Sequence, residues 1–174
     1  MEWPVSFWNS MVLPRRADAV DEGPVDEMLL RPYRERVARI AHLLMSDSCD
    51  ASHVIQQTFQ NLSRDTESLR GDPSLRILVF RVAASTIRSR QRWWNWRGRR
   101  PSSIPARDEE AIVRYGLSCL PRRYRLVLAL RDIEGLSYSE ISEVLGLPMK
   151  TVRSRLMRAR SQMLTSIQIR EVFK

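Results

Sequence analysis

The chain has 174 residues, of which 43% are hydrophobic and 28% charged, and its formal net charge is +9. This length suits one ordinary domain or two small ones, and the composition argues against wholesale disorder. No window approaches the roughly 18 apolar residues of a membrane span, and prolines break the N-terminal apolar run, which excludes a signal peptide. We therefore expect a soluble protein of the cytoplasm.

The charge is unevenly distributed along the chain. Residues 1–72 contain 8 basic and 12 acidic residues, residues 73–107 contain 9 basic and no acidic ones, and residues 108–174 contain 12 basic and 8 acidic ones. An acidic first part followed by a basic middle suggests two surfaces for two kinds of partner, one of them a polyanion.

Three segments of the first half carry apolar residues at three- and four-residue steps, which predicts amphipathic helices. We expect these helices from about Glu27, over 51–62 and over 74–92. Residues 1–24 are interrupted by prolines and are predicted to be an N-terminal arm, and residues 25–96 a helical domain. The side chains expected to face its core are Leu30, Tyr33, Val37, Ile40, Ala41, Leu44, Val54, Ile55, Phe59, Leu62, Leu75, Leu78, Val79, Val82, Ala83 and Thr86.

The second half begins with a predicted linker, because residues 97–107 are rich in Gly, Pro and Ser. Residues 108–119 and 122–133 are then expected to be helices that start a second domain, 108–174. Strand signals are absent from the sequence. The predicted fold class is therefore all-α, with two small helical domains joined by a flexible linker.

A helix-turn-helix is predicted between residues 137 and 163. Ser137 and Glu140 have the spacing of a capping box, in which each side chain accepts from the backbone amide of the other residue. Gly146 suits the left-handed end of that helix, and Pro148 suits the start of the next one.

The last predicted helix is strongly basic. Between Pro148 and Gln168 there are five basic residues and no acidic one, a composition that suits the DNA major groove. Arg153 and Ser154 lie near its N-terminal turn and are predicted to read bases, whereas Arg155 and Arg160 are predicted to contact phosphates. The helical spacing turns a core stripe inward, formed by Val152, Leu156, Ala159, Met163 and Ile167. It turns a second set outward: Lys150, Arg153, Ser154, Met157, Arg158 and Ser161.

Catalytic and metal-binding patterns are absent from the sequence. Cys49 and Cys119 have no CxxC spacing, and His42 and His53 have no partner at motif spacing. There is no Gly-rich phosphate loop and no GxSxG motif. We expect a protein that is not an enzyme, with no metal site and no cofactor.

Three segments of the second domain follow the pattern of a known family: Leu120-Pro121-Arg122-Arg123-Tyr124-Arg125, Leu136-Ser137-Tyr138-Ser139-Glu140-Ile141, and Thr151-Val152-Arg153-Ser154-Arg155-Leu156 with the residues that follow. With these segments the domain resembles region 4 of the extracytoplasmic-function (group 4) sigma factors, which direct bacterial RNA polymerase to promoters. The resemblance implies contacts with the −35 promoter element. The residues concerned are Arg131, Arg153, Ser154, Met157 and Arg158, and Lys150 is added because it faces outward.

The first domain resembles region 2 of the same family. Asp50-Ala51, Val54-Ile55-Gln56 and Thr58-Phe59 are similar to the helix that binds the polymerase, which implies polymerase contacts by Asp50, Val54, Ile55, Gln56 and Phe59. Residues 69–72 and 76–83 resemble the promoter-melting segment. This implies −10 contacts by Phe80, Arg81, Ser85 and Arg88.

The sequence therefore predicts an alternative sigma factor that binds core RNA polymerase and promoter DNA and is controlled by an anti-sigma factor. Two alternatives remain open at this point. One is a sigma-like adaptor that binds an anti-sigma factor without initiating transcription, motivated by Ser52, His53 and Gln57, which stand where the family usually has acids. The other is a stand-alone helix-turn-helix regulator.

Overall fold

The computed structural model describes residues 26–45, 47–63, 74–94 and 109–172. Within these ranges the chain forms helices and no strand, as the sequence predicts for an all-α protein. These helices fall into two compact units, one on each side of residues 97 and 98. The predicted N-terminal arm and linker lie outside the described ranges. No described helix is both long and apolar enough to span a lipid bilayer.

The first unit consists of three helices: α1 (Asp26–Leu44), α2 (Ser48–Ser63) and α3 (Leu75–Trp94). Helix α2 begins three residues earlier than predicted, because the Asp47 carboxylate accepts a hydrogen bond from the Cys49 amide (2.7 Å) and satisfies a free helix-start donor. The predicted apolar stripes meet in one core. Its buried members include Leu30, Val37, Phe59, Leu62, Leu75, Val79 and Ala83.

Polar contacts fix how these three helices pack. The Arg90 Nε atom donates to the buried Asp50 carboxylate (2.6 Å), which joins α3 to the start of α2. The guanidinium groups of two α1 arginines cover core aromatics: Arg34 lies 5.0 Å from the Phe59 ring centroid and Arg36 lies 5.0 Å from that of Phe80. Each element of the unit is thus bonded to another by a charged side chain as well as by apolar contact.

The second unit contains α4 (Glu109–Cys119), α5 (Arg122–Leu128), α6 (Tyr138–Leu145) and α7 (Met149–Val172). Helix α7 packs against α4, α5 and α6. The buried α7 residues are the predicted ones, Val152, Leu156, Ala159 and Met163, while the side chain of Ile167 lies outside the described part. Arg125 closes the end of α4 by donating to the carbonyl oxygens of Ser118 (2.6 Å) and Leu120 (2.7 Å).

Helix α5 continues into a π-helical segment, Ala129–Ile133, which the sequence did not predict as such. The predicted helix 122–133 is present, but its last turn is one residue wider than an α-helical turn. The Glu134 amide donates to the Ala129 carbonyl (3.1 Å), and Gly135 then ends the segment with a positive φ of 68°. The wider turn sets the directions of Arg131 and Asp132, and segments of this kind recur at functional sites.

The helix-turn-helix is built as predicted. The Ser137 hydroxyl accepts from the Glu140 amide (3.2 Å), and the Glu140 carboxylate accepts from the Ser137 amide (2.7 Å), which completes the capping box. Gly146 ends α6 with φ 63°, a left-handed conformation that a side chain disfavours. The Pro148 carbonyl accepts from the Val152 amide (3.1 Å), so Pro148 immediately precedes α7 rather than being its first residue.

The capping box predicts a measurable stability difference between two serines. Ser137→Ala removes one cap acceptor and should lower the free energy of unfolding by about 1 kcal/mol. Ser161→Ala, on the exposed face of α7, should be neutral or slightly stabilising, because alanine is the better helix former. Urea denaturation of both variants checks this. Equal effects of the two substitutions would contradict the capping role of Ser137.

Candidate nucleic-acid interface

The N-terminal half of α7 presents an exposed face of basic and apolar side chains. Lys150, Arg153 and Arg158 are exposed, Ser154 is half-buried, and Met157 has 69% of its surface exposed. No acidic residue occurs between Met149 and Arg170. The structure therefore brings together five of the six predicted −35 residues on one helix, with the charge that a DNA groove requires.

Arg131, the sixth predicted residue, reaches this face from the π-helical segment. Its Nη1 atom donates to the Leu136 carbonyl oxygen (2.8 Å), and its guanidinium lies 4.9 Å from the centroid of the Tyr138 ring. The Arg153 guanidinium lies 5.9 Å from the same centroid, and its Nη2 atom lies 3.9 Å from the Met149 sulfur. One tyrosine on α6 thus contacts arginines from two other elements.

Tyr124 on α5 interacts with Arg158, another residue predicted to contact the −35 element. The Arg158 and Arg123 side chains hydrogen-bond the Tyr124 phenol and lower its pKa, although burial of the ring acts in the opposite direction. The Arg123 guanidinium also lies 4.9 Å from the Tyr124 ring centroid. Arg158, an exposed residue of α7, thus interacts with the buried Tyr124 of α5.

The structure corrects the interpretation of Arg160 as a phosphate contact. Its Nε and Nη2 atoms donate to the two carboxylate oxygens of Asp132 (3.1 and 2.6 Å). The Asp132 side chain is 8% exposed and that of Arg160 is 24% exposed. A guanidinium engaged on both prongs with a buried carboxylate has a structural role, because contacting a phosphate would leave Asp132 unpaired. Arg155 is half-buried and remains a predicted phosphate contact.

In the first unit, an open polar groove runs between α2 and α3. Helix α2 contributes His53, Gln57 and Asn61, which are four residues apart, and α3 contributes Ser85, Thr86, Ser89 and Arg90. The lining offers amide, hydroxyl, imidazole and guanidinium groups and no carboxylate. Such a surface can donate to and accept from the edge of a nucleobase and can contact a phosphate backbone.

The predicted −10 residues separate into a buried and an exposed group. Phe80 is fully buried beneath Arg36, so it is part of the core and cannot stack on a base while the unit remains folded. Arg81, Ser85 and Arg88 are exposed at steps of four and three and therefore share one face of α3. That face borders the polar groove at Ser85.

The predicted polymerase-binding residues separate in the same way. Val54 and Phe59 belong to the core, Ile55 is half-buried, and Gln56 is exposed. Asp50 is only 6% exposed and is bonded to Arg90, so it positions α2 on α3 and does not present a free charge. Exposed side chains along the middle of α2 that could contact another protein instead carry no carboxylate and no guanidinium: Ser52, His53, Gln56, Gln57, Gln60 and Asn61.

The described surface of the first unit is basic, in contrast to the acidic composition of residues 1–72. Most acids of that stretch lie in segments outside the described side chains. The described side chains of the unit include only three acids, Glu35, Asp47 and Asp50. The described arginines are Arg31, Arg34, Arg36, Arg39, Arg76, Arg81, Arg88 and Arg90.

Sequence reasoning missed several residues that build these surfaces. Tyr124 and Tyr138 were noticed only as parts of motifs, and their contacts with arginines depend on packing between helices. His53, Gln57 and Asn61 could have been grouped from their four-residue spacing, which places them on one helical face. The ion pairs of Asp50 and Asp132 join residues 40 and 28 positions apart, and no local pattern encodes them.

The second unit matches a known domain family. Residues 110–163 match the family described as Sigma-70, region 4. This range contains α5, the π-helical segment, α6 and the part of α7 that carries the exposed basic face. The unit is therefore a helix-turn-helix domain of the sigma-70 region 4 class.

The similarity to sigma factors extends over most of the chain. The ECF RNA polymerase sigma-E factor of Salmonella typhimurium is 28% identical, over 92% of this chain and 95% of that protein. CnrH, solved in complex with the cytosolic domain of CnrY, is 28% identical in sequence to this chain and matches its structure with a TM-score of 0.67. The match covers 83% of this chain and 88% of that one. The sigma factor RpoE from Bartonella quintana, solved with the anti-sigma factor NepR, shares the fold with a TM-score of 0.70 at 20% identity, over 82% and 96% of the two chains. Over most of its length the chain is thus similar to extracytoplasmic-function sigma factors of bacterial RNA polymerase.

The Asp132–Arg160 pair yields a prediction about stability. Arg160→Ala should lower the free energy of unfolding by about 3 kcal/mol, the low end for a buried pair, because it leaves a buried carboxylate without its partly exposed partner. Lys150→Ala, at an exposed position, should change it by less than about 0.5 kcal/mol. Thermal and urea denaturation measure both values.

A double-mutant cycle separates this pair from a general loss of charge. Asp132→Asn should add little destabilisation once Arg160 is already alanine, since the two residues act as one unit. Additive losses would contradict the pairing. An Arg160→Ala variant of unchanged stability that binds all DNA sequences more weakly would restore the phosphate interpretation.

Proposed function

We propose that this protein is an alternative sigma factor that directs core RNA polymerase to promoters by contacting the −35 and −10 elements. The observation that carries this proposal is the exposed face of α7. Lys150 and Arg153 lie near the helix N-terminus, Arg158 follows on the same side, and no acid occurs between Met149 and Arg170. Basic residues at a helix N-terminus oppose the helix dipole and weaken the helix. Their placement is favourable when an anionic partner is bound at that end.

The roles within this face follow from exposure and direction. Arg153 and Arg158 lie on the exposed side of α7 and can reach base edges in the major groove, where an arginine bonds guanine with both prongs. Met157, with 69% of its surface exposed, is an apolar residue on this face and could contact the methyl group of a thymine. Lys150 and Arg155 contribute charge toward the phosphates, and Ser154 and Arg131 complete the −35 contacts.

The first unit is proposed to bind the −10 element and the polymerase. Arg81 and Arg88 on α3 would contact the DNA backbone, and Ser85 with the adjoining groove would contact an unstacked base. The exposed side chains of α2, including Gln56, would contact the polymerase. Asp50, Val54, Ile55, Phe59 and Phe80 support these contacts from within the core and do not make them directly.

A protein partner that controls the factor is part of the proposal. The sigma factor RpoE, which has this fold, was solved in complex with the anti-sigma factor NepR. CnrH, which is similar over most of this chain, was solved with the cytosolic domain of CnrY. We propose that this protein is likewise held by an anti-sigma factor, acts in the cytoplasm, and performs no catalysis itself. The two domains would correspond to residues 25–96 and 108–174, joined by a linker over 97–107.

Run-off transcription tests the proposal. The purified full-length chain is added to core polymerase with a library of promoter fragments, and start sites are compared with those of core polymerase alone. Selection of a defined set of start sites is expected. The same start sites as core polymerase alone would contradict it, and retention of a small protein partner without polymerase in a pull-down would then favour the adaptor.

Substitution of two neighbouring arginines separates base reading from charge. Arg153→Ala should cost about 1–3 kcal/mol at one promoter position and leave the other positions unaffected, because a base contact is lost. Arg155→Ala should weaken all promoter sequences alike and reduce the salt dependence of binding, because a phosphate contact carries no sequence information.

The measurement is equilibrium binding of the holoenzyme to promoters with single base changes in the −35 element. Equal losses across all sequences for both variants would refute the assignment of Arg153 as a base reader. If Arg155→Ala instead lowers affinity at a single base position, Arg155 is the base reader and Arg153 the phosphate contact.

A further inference from the structure

Tyr138 occupies a position that links three elements of the second unit. It is the first residue of α6, directly after the cap residue Ser137, and its side chain is half-buried. The guanidinium of Arg131, from the π-helical segment, lies 4.9 Å from its ring centroid, and that of Arg153, from α7, lies 5.9 Å from it. Both distances fall within the range of cation–π attraction.

Each of the two arginines has a second, different contact. Arg131 donates to the Leu136 carbonyl, which fixes one prong of its guanidinium, and Arg153 contacts the sulfur of Met149 one turn earlier on α7. Tyr138 is the contact that both arginines share. It can therefore set the distance and angle between two cations that come from different helices.

This arrangement matters because an arginine side chain is long and loses considerable rotamer freedom on binding. Arg153 is exposed, so in the free protein its guanidinium would otherwise sample several directions. A ring that holds the guanidinium in the direction of the groove removes part of that cost before DNA arrives, and pre-organisation of this kind increases affinity for the matching sequence.

We propose that Tyr138 is a positioning residue for promoter recognition, whose ring holds Arg131 and Arg153 in one fixed arrangement and so sets which −35 sequence is read. The proposal rests on the proposed function, because it concerns how the same DNA-binding face discriminates between sequences. Tyr138 acts through the two arginines, and its phenol oxygen is not required for this role.

The neighbouring Tyr124 provides an internal contrast. Its hydroxyl interacts with Arg158, and Arg123 also lies 4.9 Å from its ring centroid. At Tyr138 the ring face is the group engaged. Tyr124→Phe should therefore weaken the interaction with Arg158, whereas Tyr138→Phe should leave Arg131 and Arg153 in place.

The experiment compares Tyr138→Phe and Tyr138→Leu in the full-length protein, assembled with core polymerase and assayed on a promoter library randomised across the −35 element. Leucine keeps an apolar side chain but removes the aromatic face. Tyr138→Leu should reduce discrimination by about two- to fivefold at each of the base positions read by Arg131 and Arg153, and leave the remaining positions unchanged. Tyr138→Phe should retain the wild-type base profile.

Two further measurements distinguish positioning from a general structural effect. Thermal unfolding of both variants reports any loss of stability, which would lower transcription from all promoters without altering the base profile. In a protein that already carries Arg131→Ala and Arg153→Ala, Tyr138→Leu should cause no additional loss of discrimination, because no cation remains for the ring to hold.

Several outcomes would overturn the proposal. A wild-type base profile in Tyr138→Leu would show that the ring does not set specificity. A uniform loss over all sequences in both single variants would show that the hydroxyl contacts a phosphate instead. The proposed function is tested separately by the wild-type protein: if wild-type holoenzyme selects a −35 sequence and Tyr138→Leu selects it equally well, only the role of Tyr138 fails.

Discussion

The packing of the second unit depends on two neighbouring residues, Arg131 and Asp132, whose side chains face in different directions. In the π-helical segment, Arg131 contacts the first helix of the helix-turn-helix and Asp132 bonds Arg160 of the second. In a regular α-helix, adjacent residues point about 100° apart, and the wider turn changes that angle. One short segment thus attaches to both helices of the helix-turn-helix and constrains the angle between them.

In the first unit, too, charged side chains connect neighbouring helices. Arg90 on α3 bonds Asp50 at the start of α2, and Arg36 on α1 covers Phe80 of α3. In both units a desolvated carboxylate accepts from an arginine on another helix, while the apolar core supplies most of the stabilisation. Such pairs contribute directional constraint more than net free energy, because burying each charge costs nearly as much as the pairing returns. They therefore define how the surfaces built on these helices are oriented.

Local patterns in the sequence were sufficient for the helices and their ends. The apolar spacing located α1, α3 and α7, and the Ser137, Glu140 and Gly146 signals located the turn, because each depends on residues within a few positions of one another. The π-helical segment was not predictable, since it is the last turn of its helix and no further turn follows in which a shifted apolar register would show. The pairing of Asp50 with Arg90 and of Asp132 with Arg160 was not predictable either, because only the packed helices bring these residues together. As a result Asp50 was predicted to bind the polymerase and Arg160 a phosphate, although both are engaged within their own unit.

Arginine therefore has two uses in this protein, and the difference lies in what surrounds each guanidinium. At Arg125 and Arg160 the guanidinium bonds two acceptors of the same unit, a geometry that the single ammonium group of lysine cannot reproduce. Arg131 combines one such bond with a ring contact, so its planar group is also needed where it stands. Lys150 is exposed on α7, where a point charge is sufficient for a phosphate. Arginine is thus required by geometry at the bonded positions, whereas the exposed Lys150 needs only its charge.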